Sequence, residues 1–135
     1  MPARAFPPPA VGDIVYCRFP EIAGRPGPKP RPALVVSTGR FDDGTPAVRV
    51  AYGTSRNTGR LHSGEFFITP LDGAAFQAAG LSYATKFDLR KLQDLPCTDE
   101  WFQVPPAPQF GAIPKLGVLH ASLYRRAKAA FEPGS

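Results

Sequence analysis

The strongest constraint on the fold is an uninterrupted apolar run that begins directly after an arginine held between two prolines. Pro30-Arg31-Pro32 precedes Ala33–Val36, and such a run is typical of a strand buried on both faces of a sheet. Proline restricts its own backbone and pushes the residue before it out of the helical region, so Arg31 begins the strand in an extended conformation. A cation on so rigid a base suits an anion-binding site. The simpler alternative is a solvated arginine at a stiff strand start.

Proline and glycine are abundant, which favours many short strands joined by turns over long helices. The chain has 17 prolines and 13 glycines, and 43% of its residues are hydrophobic. Alternating or continuous apolar residues predict five strands: Val11–Phe19, residues 32–38, Ala47–Tyr52, Glu65–Ile68 and Ser82–Leu89. Composition and alternation together predict a mainly β protein.

Two segments are predicted to be helical. Asp72–Ala79 is predicted as a short helix that its first residue caps and Gly80 closes. Leu116–Phe131 carries apolar residues at helical spacing, and we predict the longest helix there. Residues 90–115 are predicted to be irregular, with a short strand near Trp101–Val104. The predicted fold class is mainly β with a C-terminal helix, arranged as a small, mostly antiparallel β-barrel.

The length and the termini favour one domain. With 135 residues the chain is long enough for a single hydrophobic core, to which we assign residues 11–131. Residues 1–10 are predicted as a flexible Pro-rich leader and residues 132–135 as a tail. The N-terminus lacks a signal-like apolar core, and the chain lacks a run of about eighteen apolar residues. We therefore expect a cytoplasmic protein without membrane contact.

The cysteines and histidines predict no metal centre. Cys17 and Cys97 are expected to be free thiols, which fits a cytoplasmic location. Two cysteines and two histidines without clustered spacing make no metal-site signature, and we expect no cofactor.

Basic residues predict an anionic partner. The formal net charge is +5 and the sequence pI is about 9.6, as in proteins that bind nucleic acid or an acidic protein. Gly53–Arg60 is a polar loop in which hydroxyls and an amide stand beside two arginines, a composition suited to phosphate or sugar contacts. A solvated hairpin loop is the alternative interpretation.

Three blocks in the right order resemble the PemK/MazF (Kid/CcdB-like) toxins of type II toxin–antitoxin systems. Gly12–Val15 is similar to the opening strand of that family, and Lys29–Ser37 is similar to its Lys-x-Arg-Pro-Ala-Leu-Val-Val-Ser block. Tyr52–Ser55 resembles the family strand that ends in threonine or serine. Ala84–Asp88 is a looser match, and the resemblance as a whole spans about residues 11–131.

The resemblance implies an SH3-like barrel that forms a homodimer, cleaves single-stranded RNA without a metal, and inhibits translation until a cognate antitoxin binds it. In that reaction the RNA 2′-hydroxyl attacks its own phosphate. The catalytic arginine of the family falls on Arg31 and its hydroxyl residue on Thr54, with Ser55 as the neighbouring alternative. The residues then expected to bind RNA are Arg25, Lys29, Arg56, Asn57, Arg60 and Lys86.

The general base is left unassigned. The first loop lacks the histidine that some family members have, and residues 80–83 lack the carboxylate that others have before the fifth strand. The available side chains are Glu21, His62, Glu65 and Asp88. His62 has the most suitable intrinsic pKa, although simple exposure explains it equally well. Asp88 is more simply explained as the partner of a nearby cation, such as Lys86 or Arg90, or as a cap at the end of its strand.

Two other functions stay open at this point. A non-catalytic SH3-like barrel would bind nucleic acid or a protein partner, and the missing base favours it. A gyrase-directed toxin is the third alternative, because relatives with this barrel act through an apolar or aromatic C-terminal segment. Residues 131–135 offer only a weak version of that segment.

Overall fold

The computed structural model describes residues 3–131, which fold around one antiparallel sheet. Its six strands are β1 (Asp13–Cys17), β2 (Arg31–Arg40), β3 (Pro46–Thr54), β4 (Glu65–Ile68), β5 (Thr85–Pro96) and β6 (Lys115–Val118). Hydrogen-bonded neighbours follow the order β4-β5-β3-β2-β1-β6. The helical elements are α1 (Ala74–Ala79), α2 (Tyr124–Phe131) and two 3₁₀ turns, Pro70–Asp72 and Ala121–Leu123.

Both faces of the sheet are buried. One core contains Ile14 and Leu34, which pair across β1 and β2, together with side chains from α1 and α2. The other core contains Val35 and Val50, which pair across β2 and β3, and it also includes Trp101. Neighbouring residues of a strand point to opposite faces, so Leu34 and Val35 belong to different cores. The prediction of a strand buried on both faces is confirmed.

The prediction of a mainly β fold with a C-terminal helix is also confirmed. The sheet, however, is not closed into a barrel by hydrogen bonds, because within residues 3–131 the edge strands β4 and β6 do not pair with each other. Instead, α2 contacts β4 and α1 contacts β6, so helices cover the core near both edges. Neither of these described helices has the length and the apolar run that a membrane crossing requires.

The helix predicted at Asp72–Ala79 is present but begins later. The Asp72 carboxylate accepts the backbone N–H of Thr69 at 2.8 Å, while the Thr69 hydroxyl accepts a backbone N–H of the following turn. This reciprocal pair caps the 3₁₀ turn rather than α1. At the other end Gly80 closes α1 in the left-handed conformation, with φ at 69°, as predicted.

Two predicted boundaries in the second half of the chain are wrong. β5 continues to Pro96 through residues predicted to be irregular, and its second half stays paired with β3. Residues 115–118 form β6 and pair with β1, although the C-terminal helix was predicted to begin at Leu116. Gly117 lies so close to α1 that an added Cβ would be 2.2 Å from the Ala78 carbonyl oxygen. α2 therefore begins only at Tyr124.

The segment between β5 and β6 contains no regular strand. The strand predicted near Trp101–Val104 is reduced to one isolated bridge between Cys17 and Phe102. Pro105 and Pro106, three and four residues after Phe102, lack the backbone N–H that a longer strand would need here.

Part of the predicted leader packs on the domain. The backbone N–H of Phe6 donates to the Cys97 carbonyl oxygen at 3.0 Å, and the Phe6 side chain is buried in the second core. Residues 1–2 and the predicted tail, residues 132–135, lie outside the described residues.

Candidate active site

Arg31 stands at the start of β2, beside the end of β3. Extending the register of the β2–β3 ladder by two residues places Arg31 level with Thr54. The two strands approach closely here, because an added Cβ on Gly53 would lie 2.3 Å from the Pro32 carbonyl oxygen. The fold thus brings together the arginine and the hydroxyl that the sequence selected.

The guanidinium of Arg31 has no partner among the described residues. The side chain is half-buried, yet none of the ion pairs formed within residues 3–131 includes it. The backbone of Arg31 pairs with Cys17 in β1, so its base is fixed in the sheet. A guanidinium on an anchored backbone, without a carboxylate partner, can bind an anion with two parallel hydrogen bonds.

The hydroxyl of Thr54 is oriented by the backbone. Its oxygen accepts the backbone N–H of Arg56 at 3.1 Å, and the Thr54 backbone pairs with Lys86 of β5. The hydroxyl proton is left available for donation, because the oxygen acts as acceptor in this bond. Ser55, the neighbouring alternative, is more exposed and lines the same cleft.

Arg31 and Thr54 line an open cleft of about 930 Å³. Among the described residues that line it, only Arg31 carries a formal charge. Sequence analysis missed several neutral polar or aromatic side chains of the lining, namely Tyr16, Gln77, Ser82, Tyr83 and Gln109. They come from β1, from α1, from the loop before β5 and from the segment after β5, so no local sequence pattern connects them.

A protein-family model described as the PemK-like, MazF-like toxin of type II toxin–antitoxin system matches residues 10–95. The chain belongs to this family. The resemblance seen in the sequence is therefore confirmed, and the match includes both Arg31 and Thr54. It ends before residues 105–109, which form part of the cleft of this toxin. No curated protein matches the chain closely enough to identify a relative.

In this PemK/MazF-like toxin, Arg31 also borders a second cleft of about 510 Å³. Glu21, from the loop between β1 and β2, lines this cleft and supplies the only carboxylate among its described lining residues. Arg90 and Lys91 line it as well. One of the four base candidates thus shares a cleft with the guanidinium.

Lys86, which we expected to bind RNA, is buried inside the toxin. Its Nζ lies 3.1 Å from Oε2 of Glu65 and 3.2 Å from the carbonyl oxygen of Arg60. The two side chains of the ion pair are only 7% and 8% exposed. This position gives Lys86 a structural role, because its ammonium group joins β5 to the end of the polar loop.

Glu65 is held in its ionised form by the same network. Burial on its own raises the pKa of Glu65, but hydrogen bonds from the backbone of His62 and from Lys86 outweigh it, so the pKa is lowered. The bond from the His62 N–H is 2.6 Å long. A carboxylate with these partners is a poor proton acceptor, so the structure disfavours Glu65 as the base.

The other two base candidates lie apart from Arg31. His62 is exposed and lines a different cleft, together with Arg126 of α2. Asp88 is half-buried, and its Oδ1 accepts the backbone N–H of Arg90 at 2.9 Å. Neither side chain is in the lining of the two clefts that Arg31 borders.

The remaining residues expected to bind RNA are exposed in two loops. Arg56, Asn57 and Arg60 lie between β3 and β4, where Asn57 adopts a positive φ of 55° that asparagine tolerates. Arg25 and Lys29 lie in the loop between β1 and β2. None of the five lines the clefts of Arg31, so they surround the candidate site rather than form it.

The cysteines belong to the core. Cys17 and Cys97 are buried free thiols, and burial raises the pKa of each. Such thiols are poor nucleophiles and poor metal ligands. Within residues 3–131, moreover, no three His, Cys, Asp or Glu residues come together in a group that could hold a metal ion.

Proposed function

We propose that this toxin is a metal-independent endoribonuclease that cleaves single-stranded RNA, mRNA included, and thereby inhibits translation. The observation that carries the proposal is the unpaired guanidinium of Arg31 next to the oriented hydroxyl of Thr54 in an open cleft. Membership of the toxin family supports the same activity. A basic protein with net charge +5 also attracts a polyanionic substrate.

The proposed chemistry needs a charge stabiliser more than a cofactor. The RNA 2′-hydroxyl attacks the adjacent phosphorus, the bond to the 5′-oxygen breaks, and the products end in a 2′,3′-cyclic phosphate and a 5′-hydroxyl. Negative charge grows on the non-bridging oxygens, where Arg31 donates hydrogen bonds. Thr54 donates to the same oxygens or orients the nucleophile. Ser55 is the alternative donor on the same side of the cleft.

Glu21 is the proposed general base. It is the candidate that shares a cleft with Arg31, whereas Glu65 is enclosed by its partners and His62 lies in a different cleft. A carboxylate beside the guanidinium would take the proton from the 2′-hydroxyl while Arg31 binds the phosphate. Glu21→Gln should then slow cleavage.

The flanking loops are proposed to bind the RNA backbone. Arg56, Asn57 and Arg60 extend from the site on one side, and Arg25 and Lys29 lie in the loop that leads to Arg31. Phosphate contacts of this kind fix the register of the strand without reading its sequence. They predict an affinity that falls steeply with salt, and each lost contact should reduce the salt slope by about 0.7 for a single strand.

The partners follow from the same surface. We propose a cognate antitoxin whose acidic or amphipathic segment lies across the basic loops and covers the RNA site. We also propose that the toxin works as a homodimer in the cytoplasm, as the family membership suggests.

The test is a cleavage assay in the presence of EDTA. Wild-type protein should cut single-stranded RNA, and 2′-deoxy substitution at the nucleotide before the cut should abolish that cut. Arg31→Ala should lose the activity while keeping its fold. Arg125→Ala, the same change at an exposed position of α2, serves as the matched control. Wild-type protein that leaves RNAs of varied sequence intact would refute the nuclease proposal.

A non-catalytic RNA-binding protein is the second candidate. The larger cleft of Arg31 is lined by neither a carboxylate nor an imidazole among the described residues, which is the observation that favours it. Salt-dependent binding of RNA that stays uncut at every pH would support this candidate. The gyrase-directed alternative depends on residues 131–135, of which the structure describes only Phe131, exposed at the end of α2. A supercoiling assay tests it.

A further inference from the structure

The distribution of charge in the larger cleft indicates what it can hold. Arg31 is its one formally charged lining residue, and the remainder of the described lining is neutral, polar or apolar. A groove that tracks the RNA backbone is positively charged, whereas a nucleobase stacks on a flat aromatic surface and forms hydrogen bonds at its edge. The volume of about 930 Å³ is large enough for a phosphate together with a base.

Tyr83 supplies the flat surface. Its side chain lines the cleft and is 72% exposed, so its ring is accessible to a ligand. The backbone beneath it is fixed, because the carbonyl oxygen of Tyr83 accepts the hydroxyl of buried Thr85 at 2.8 Å. At the start of the loop Gly80 packs against β6, where an added Cβ would lie 1.9 Å from the Leu116 carbonyl oxygen.

A second part of the lining comes from Pro105, Pro106, Ala107 and Gln109. Both ends of the segment that carries them are hydrogen-bonded to the backbone of Tyr16. At its start, the Gln103 N–H donates to the Tyr16 carbonyl oxygen at 3.0 Å. The Tyr16 N–H in turn donates to the Pro114 carbonyl oxygen at 2.8 Å. These residues lie after residues 10–95, the region matched by the family model.

We propose that Tyr83 stacks one unpaired nucleobase of the RNA next to the phosphate bound by Arg31. The amides of Gln77 and Gln109 line the same cleft, and each presents both a donor and an acceptor to the edge of that base. Tyr83 is thus the main contact for one base of the cleaved sequence, and the two glutamines select its identity. The inference rests on the proposed RNA cleavage, because Arg31 must bind the neighbouring phosphate.

The first test measures binding without cleavage. A 2′-O-methyl oligonucleotide lacks the attacking hydroxyl, so its affinity reports recognition alone. Tyr83→Ala should weaken binding about 5- to 150-fold, the range for loss of one stacked base, while Tyr83→Phe should stay within about twofold of wild type. Tyr124→Ala removes an exposed tyrosine of α2 outside the cleft and should leave both affinity and cleavage unchanged.

The second test locates the base. Oligonucleotides with a single abasic position, moved along the sequence, should show one position whose loss weakens wild-type binding as much as Tyr83→Ala does. At that position the two changes should not add, because each removes the same contact. Wild-type cleavage together with full additivity at every position would overturn the stacking inference and leave the nuclease proposal standing. Failure of wild-type protein to bind any oligonucleotide would overturn both.

Discussion

Replacing Lys86 with methionine should destabilise the protein far more than replacing an exposed lysine of the same strand. The substitution keeps most of the side-chain volume but leaves the Glu65 carboxylate, only 8% exposed, without its cation. It also removes the hydrogen bond to the carbonyl oxygen of Arg60. Lys91→Met is the matched control, because Lys91 is exposed on β5 and only approaches the ring of Tyr52, at 5.4 Å from its centroid.

The size of the effect follows from the burial of the pair. Removing one partner of a buried ion pair costs about 3–5 kcal/mol, whereas the exposed control should cost less than about 1 kcal/mol. Unfolding entropy of about 2.1 cal/mol/K per residue gives about 0.3 kcal/mol/K for a chain of 135 residues. Lys86→Met should therefore lower the midpoint of thermal unfolding by about 10–18 °C.

The stability that the Lys86–Glu65 pair provides should depend on pH. The folded-state pKa of Glu65 is lowered from 4.5, so the pair stabilises the protein above the ordinary glutamate pKa and loses its effect as pH falls through the lowered value. The difference in stability between wild type and Lys86→Met should shrink over the same range, because the unpaired carboxylate of the variant becomes protonated. Glu65→Gln combined with Lys86→Met should likewise recover part of the loss.

The assay is thermal unfolding followed by circular dichroism, with RNA affinity measured in parallel. A change of less than about 1 kcal/mol for Lys86→Met, together with weakened RNA binding, would contradict the buried ion pair of Lys86 and Glu65. That result would mean that Lys86 faces the RNA, as its position in the sequence first suggested.

Three further outcomes are expected. Gly53→Ala should destabilise the protein by about 1–3 kcal/mol in urea unfolding, because the added Cβ would lie 2.3 Å from the Pro32 carbonyl oxygen of the neighbouring strand. Gly39→Ala is the control, because a Cβ added at Gly39 has no atom within 4 Å. Equal unfolding midpoints for the two variants would contradict this prediction. The hydrogen bonds from Arg126 hold the pKa of Asp72 below its usual value of 3.8, so the stability that they supply is present above that pH and is lost as acid protonates the carboxyl. Thermal midpoints should therefore fall more steeply on acidification for wild type than for Asp72→Asn, and parallel curves would disprove it. Cys17 should resist thiol reagents until the protein unfolds, because the thiol is buried and its pKa is raised. Modification of Cys17 in the native protein, detected by mass spectrometry, would contradict its burial.

Local patterns in the sequence were sufficient to predict the central strands and β4. The apolar run at Ala33–Val36 predicted burial on both faces, and Glu65–Ile68 was predicted with its observed boundaries. Arg31 and Thr54 were selected from separate blocks of the chain, and the structure places them at one cleft. β2 and β3 are antiparallel neighbours, so the start of β2, which carries Arg31, lies beside the end of β3, which carries Thr54.

Long-range contacts account for the features that sequence reasoning missed. Leu116 lies at helical spacing from later leucines, yet backbone pairing with β1 and close packing of Gly117 on α1 make its segment a strand. Lys86 lies between buried neighbours in an alternating pattern that predicts exposure, and only the pairing of β4 with β5 places Glu65 against it. Tyr83 has no distinguishing local pattern, because its cleft is assembled from separate parts of the chain.

The most direct test of the proposed mechanism is the single-turnover rate of RNA cleavage at saturating protein, compared between wild type and Arg31→Ala. Saturation removes the contribution of binding, so the ratio reports the stabilisation of charge in the transition state. Arg31→Ala should lower the rate constant about 10²- to 10³-fold and leave the thermal midpoint unchanged. A rate within about threefold of wild type would show that Arg31 is not the group that stabilises the reacting phosphate.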